Sequence, residues 1–122
     1  MSDRPDIQLI ANIVVSNGRG EVLLTRYRDD DERWWLPGSE LDPYEHPDEA
    51  CARALADVGL AGVSAQLHHV ESFRGRRGWH VMFNYRCEAA VAGDDAQWHA
   101  AASLPPMTHG DWERSVISKV LG

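Results

Sequence analysis

Between Gly38 and Gly59 the chain carries Glu40, Asp42, Glu45, Asp48, Glu49 and Asp57, with Arg53 set among them. The stretch opens on the turn Pro37-Gly38 and closes on a glycine. Carboxylates at this density beside a tight turn suit phosphate chemistry assisted by a hard divalent cation, which binds oxygen ligands and offsets the negative charge of a phosphate. The spacing from Pro47 to Val58 predicts a helix. Pro47 suits a first helical turn, Asp48 and Glu49 suit the positive end of the helix dipole, and Gly59 suits the position just past the end. Cys51, Leu55 and Val58 fall at i, i+4, i+7 and form one apolar stripe. Glu49, Arg53 and Asp57 share a polar face, where Glu49 and Arg53 read as an ordinary i,i+4 pair.

The elements that must position this stretch alternate in period. Ile7 to Ser16 is β-branched and reads as a buried strand. Asn17-Gly18-Arg19-Gly20 is a turn, and Glu21 to Arg28 is the return strand of a hairpin. Asp29 to Arg33 reads as a solvated acidic loop, and Trp34-Trp35-Leu36 as a short apolar segment. After the helix, strand patterns return at Val63 to Phe73 and Trp79 to Val91, around the basic turn Arg74 to Gly78. A weaker segment surrounds Trp98, and Asp111 to Leu121 reads as a closing helix behind Pro105-Pro106. Hairpins with helices packed on them predict an α+β class. No repeat or linker interrupts residues 1–122, so one domain is expected.

Composition narrows the function. The 122 residues are 43% apolar and 25% charged, near the globular average. A net charge of -7 repels a nucleic-acid backbone. It also opposes a bound polyphosphate unless a cation or arginines intervene. Arg26 with Arg28, and Arg74 with Arg76 and Arg77, are such arginines, although a basic hairpin tip is commonly just solvated surface. Cys51 and Cys87 match no zinc or redox spacing and read as small buried hydrophobes. The polar N-terminus MSDRPDIQ and the absence of a long apolar run predict a soluble, cytoplasmic protein.

The stretch resembles the box of the Nudix hydrolases, G-x5-E-x7-R-E-U-x-E-E-x-G-U, with U a bulky aliphatic. Ser39 takes the first glycine position, directly after Gly38. Glu45 and Arg53 follow at the box spacing, Leu55 fills the aliphatic position, and Gly59-Leu60 close the box one residue early. The lead-in Trp34-x-Leu36-Pro37-Gly38 also fits, and the likeness extends across most of the chain. The resemblance implies an α/β/α sandwich with a mixed, mainly antiparallel sheet. It implies hydrolysis of a nucleoside diphosphate derivative assisted by Mg2+ or Mn2+, and it is compatible with a homodimer. Glu45 and Arg53 would brace the loop against the helix, and Gly38, Glu40, Asp42 and Asp57 would be the metal ligands. Arg26, Arg28, Trp34 and Trp35 are candidates for binding substrate, the tryptophans either stacking a nucleobase or packing in the core.

The chain departs from the box where the family places helix carboxylates. Those positions are Ala54, Asp57 and Val58, so two of three carboxylates are gone. Glu49, Asp94 and Asp95 are possible replacements. A branch resembling the GDP-mannose mannosyl hydrolases also lacks part of the glutamate run and uses a loop histidine as base, for which His99 and His109 are candidates. Three functions are therefore open: a divergent hydrolase of a nucleoside diphosphate derivative such as a nucleotide sugar, a non-catalytic module that binds such a ligand, and an interaction module. The degenerate box predicts weak or absent diphosphatase activity, while the acidic charge predicts no role on a nucleic-acid duplex and the lack of a long apolar run none in a membrane.

Overall fold

The computed structural model describes residues 6–27, 30–75, 78–93, 96–108 and 110–122. The β-branched run Ile7–Ser16 forms β1, and the chain returns as β2 (Glu21–Tyr27). The Asn17 side chain holds the turn between them, accepting the N–H groups of Arg19 at 2.9 Å and Glu21 at 3.2 Å. Then follow β3 (Asp30–Trp35), β4 (Gly38–Glu40), α1 (Pro47–Asp57), β5 (Gln66–Gly75), β6 (Gly78–Glu88), β7 (Ala96–Ala100) and α2 (Asp111–Leu121). The seven-stranded sheet has the order β3-β2-β1-β6-β5, with β4 paired to β1 and β7 to β2. β1 runs parallel to β6 from Ile7↔Trp79 to Ser16↔Glu88. The other described strand pairs are antiparallel.

The sheet is covered on both faces at its centre, which is why Ile13 to Val15 of β1 and Val22 to Leu24 of β2 are unbroken apolar runs. Ala11, Ile13 and Val15, with Leu23, pack under α1 against Ala50, Cys51, Ala54 and Leu55. The opposite side chains Val14, Val22 and Leu24 pack under α2 against Val116, Ile117 and Val120. This is the expected helix–sheet–helix sandwich of the α+β class. Both cysteines lie in the first core cluster, where burial pushes their thiols up to about 12 for Cys51 and about 11 for Cys87. Among the described residues no helix is long and apolar enough to cross a membrane.

The structure corrects the acidic loop expected at Asp29 to Arg33, because Asp30–Trp35 is a strand. It pairs with the preceding strand β2, and its own charged pattern hides it. Arg26 and Trp34 pair across β2 and β3, and on the other side the Trp34 N–H donates to the Pro106 carbonyl at 2.9 Å. The later strands are also shifted from expectation. β5 starts at Gln66 rather than Val63, and Val63 and Ala65 instead pack against the core beneath α1. β6 ends at Glu88 rather than Val91.

Candidate functional site

The loop before α1 is tied to the helix by one arginine. Pro47 opens α1, and the His46 ring accepts the N–H of Asp48 at 3.0 Å as its cap. Two turns on, Arg53 reaches back into the loop. One terminal nitrogen pairs with Glu45 Oε2. The other donates to Glu45 Oε1 at 2.9 Å, Ser39 Oγ at 3.0 Å and the Glu40 carbonyl at 2.9 Å. Glu45 Oε1 also accepts the N–H of Asp42 at 2.9 Å, closing the loop on itself. The Asp42 carboxylate stands 3.6 Å from Arg53. Hydrogen bonding from Arg53, helped by the Asp42 backbone, holds the Glu45 carboxyl below its ordinary range, and Glu45 in turn raises Arg53. Arg53 therefore serves the loop, and its described ion-pair partners are Glu45 and Asp42 rather than Glu49.

The far end of α1 explains the shortened box. The Leu60 N–H donates to the Leu55 carbonyl at 2.8 Å and the Gly59 N–H to Ala56 at 3.1 Å, a Schellman closure with Gly59 at φ +82. The cap residue is thus Val58, which packs in the core at 4% exposure, as does Ala54 at 1%. Both positions face the sheet. Asp57 lies on the exposed face, close enough to Arg53 to contribute to its raised pKa after Glu45 and Asp42. Among the described residues, no group of three or more His, Cys, Asp or Glu side chains is placed to hold a metal ion.

On the other side of β4 the sheet opens into a cleft of about 310 Å³. Its floor is set by strand parity: Gln8, Ile10 and Asn12 of β1 lie beside His80 and Met82 of β6, and Phe73 of β5 pairs with His80. Trp112 of α2, Trp35 of β3 and the β4 residues Gly38 and Glu40 form the walls. The Phe73 and His80 rings stack at 5.0 Å, and Trp112 tilts onto Phe73 at 5.2 Å. Such a surface presents aromatic faces to a planar ring. β4 approaches closely because Gly38 has no side chain: a Cβ there would lie 2.9 Å from the Ala11 carbonyl oxygen and 3.3 Å from Asn12 Oδ1.

A buried polar chain runs from this floor to α2. Asn12 Nδ2 donates to Asn84 Oδ1 at 3.3 Å, and Asn84 Nδ2 donates to Glu71 Oε2 at 3.4 Å. Glu71 Oε2 also meets the His69 ring at 3.1 Å, while Oε1 accepts from Lys119 at 2.6 Å. Hydrogen bonds from Lys119 and His69 outweigh burial and hold the Glu71 carboxyl below its ordinary range, although burial, pushing the other way, is the largest single influence.

The sequence-derived candidates separate accordingly. Glu40, Asp42, Glu45 and Arg53 come together at the loop; Gly38 and Glu40 also border the cleft, and Asp57 stands apart on the helix. Trp35 lines the cleft. Trp34 does not: it packs in the core under α2 at 7% exposure, so it is corrected to a packing residue. Arg26 lies over the Trp34 ring at 5.0 Å, away from the cleft lining. His99 is no loop residue but part of β7, its ring edge-on to Trp34 at 4.5 Å and its Nε2 buried without a partner. Arg28, Arg76, Arg77, Asp94, Asp95 and His109 lie outside the described residues. Sequence reasoning missed Asn12, Phe73, His80 and Trp112. The available signal was Gln8 and Asn12, polar residues at even positions of an otherwise apolar strand.

Comparison with known proteins agrees with this architecture. A family model described as NUDIX domain matches residues 6–119. The fold is similar to the NUDIX domain of Shewanella oneidensis NrtR complexed with ADP ribose, with TM-score 0.75 at 18% identity, covering 98% of this chain and 91% of that one. It is similar to the MutT NUDIX hydrolase of Burkholderia pseudomallei, with TM-score 0.74 at 22% identity over 94% and 98% of the two chains. It is also similar to the E. coli dihydroneopterin triphosphate pyrophosphohydrolase, with TM-score 0.76 at 12% identity over 91% and 92%. No curated protein matches the chain in sequence.

Proposed function

Because the chain belongs to the NUDIX-domain family, we propose that it takes a nucleoside diphosphate derivative into the aromatic cleft and hydrolyses it weakly or not at all. The observation that carries this reading is the separation of two features the family's chemistry needs together. The cleft offers Phe73, His80, Trp35 and Trp112 to a planar base. The neighbouring loop and helix keep the Glu45–Arg53 brace, but Ala54 and Val58 are core residues without oxygen. The residues present do not fit a magnesium or manganese ion held by helix carboxylates, because one exposed aspartate remains where the box places three acids. The ADP ribose bound by the NrtR domain supports the ligand class. The test is a screen of nucleoside diphosphate derivatives with magnesium, read both as thermal shift and as phosphate release. A shift without turnover is expected; turnover well above background overturns the loss of activity, and no shift with any compound overturns the ligand class.

A second reading, a divergent hydrolase, is favoured by one observation: Asp57 remains exposed within electrostatic reach of Arg53. In that case Asp57 would be the one box carboxylate left on the helix to contribute to a weak magnesium site. Asp57→Asn then abolishes magnesium-dependent turnover without unfolding the chain, and turnover retained in that variant rules this reading out.

A further inference from the structure

The side-chain amides on the cleft floor have orientations dictated by chemistry. A carboxylate only accepts hydrogen bonds, so Asn84 must present its NH2 group to Glu71. Its carbonyl oxygen then faces Asn12, which must present its own NH2 group in turn. Lys119 holds the other Glu71 oxygen, Oε1, while His69 Nε2 meets Oε2 itself and lies 3.3 Å from Asn84 Nδ2. At the end of this chain the Asn12 carbonyl oxygen points towards Gly38, on the cleft side of β4, and both residues border the cleft. A Cβ at Gly38 would crowd that oxygen at 3.3 Å, so the glycine keeps the space beside it open.

We propose that Asn12 Oδ1 is an acceptor for an amino group on the ligand's base, making Asn12 a specificity-determining residue and Glu71 the residue that orients it through Asn84. The inference rests on the cleft being a nucleotide site and adds which bases it takes: amino-bearing ones such as adenine or cytosine, over their keto counterparts. A keto oxygen placed against Asn12 Oδ1 sets two acceptors against each other, and neither gains a hydrogen bond.

The test is calorimetric titration of the full chain with ADP against IDP and CDP against UDP. The amino member of at least one pair should bind about tenfold tighter, the effect of one hydrogen bond gained against one left unmade. In Glu71→Gln the neutral amide can donate as well as accept, so Asn84 and Asn12 are free to rotate. The preference should then fall to within about threefold while nucleotide binding persists. A merely structural role for Glu71 would weaken all four nucleotides alike. If Glu71→Gln melts below the assay temperature, Asn12→Val takes its place and must lose the same preference. A keto nucleotide binding as tightly as its amino partner in both pairs overturns the proposal alone, as does full preference in the variant. Failure of all four nucleotides to bind removes the ligand class as well.

Discussion

Gly59 and Gly93 meet backbone to backbone where α1 ends. The Gly93 N–H donates to the Val58 carbonyl at 2.7 Å, and a Cβ on Gly59 would lie 2.6 Å from the Gly93 nitrogen. Gly59 also holds φ +82, whereas Gly62, at φ +83, has open space where its Cβ would be. The pair separates conformational strain from contact. Gly62→Ala should cost about 1 kcal/mol for the left-handed backbone alone. Gly59→Ala should cost at least about 2 kcal/mol, because backbone must also move. Urea denaturation of both variants measures this, and equal costs would show that the Gly93 contact contributes nothing.

The same early closure places Val58 and Ala54 in the core, which bears on any attempt to rebuild the family's acids there. Ala54→Glu and Val58→Glu should each destabilise the fold by about 3 kcal/mol or more, since a carboxylate is moved from water into an apolar cluster. Neither should improve magnesium affinity. Denaturation midpoints with and without magnesium decide this. A variant of native stability that gains magnesium binding would mean the helix turns these positions towards the loop.

The Glu45–Arg53 brace predicts a pH dependence. Glu45 is held below its ordinary range, so its unfolded form binds the proton more readily than its folded form. Its contribution is fully present above the unfolded pKa of about 4.3 and is lost as pH falls through the lower folded value. Glu45→Gln should therefore lower Tm at pH 6 and converge with the parent chain in strong acid. A Tm difference that persists unchanged into acid would place the effect of the substitution outside this ion pair.

His99 predicts a second loss of stability on acidification, starting at higher pH. Burial, partly opposed by Glu21, depresses its pKa, and its Nε2 has no hydrogen-bond partner. Below the unfolded value of about 6.5 the unfolded chain takes up a proton that folded His99 resists, so stability falls as pH drops towards the folded value. His99→Phe keeps a flat ring beside Trp34 and should remove that loss, flattening Tm between about pH 7 and pH 5. An unchanged slope would assign it to another group.

Local chemistry made the loop and helix legible. Pro47, Gly59 and the interval from Glu45 to Arg53 act over a few residues, and the structure has a helix and a braced loop where they predict them. What escaped depends on partners distant in the chain. Trp34 and Trp35 are adjacent and chemically alike, yet one is core and the other cleft, and the Trp34 N–H is held by the distant Pro106 carbonyl. Phe73, His80 and Trp112 meet only because β5 pairs with β6 in one register and α2 crosses that face. The fate of Ala54 and Val58 was half legible: their lack of oxygen is plain in the sequence, whereas their burial needs the core around them.

The central claim is that this loop and helix keep their brace without assembling a strong divalent-cation site. Calorimetric titration of the chain with magnesium and with manganese tests it directly. Dissociation constants far weaker than about 1 μM are expected, without a defined stoichiometry. One-to-one binding of either ion at about 1 μM or tighter would contradict it.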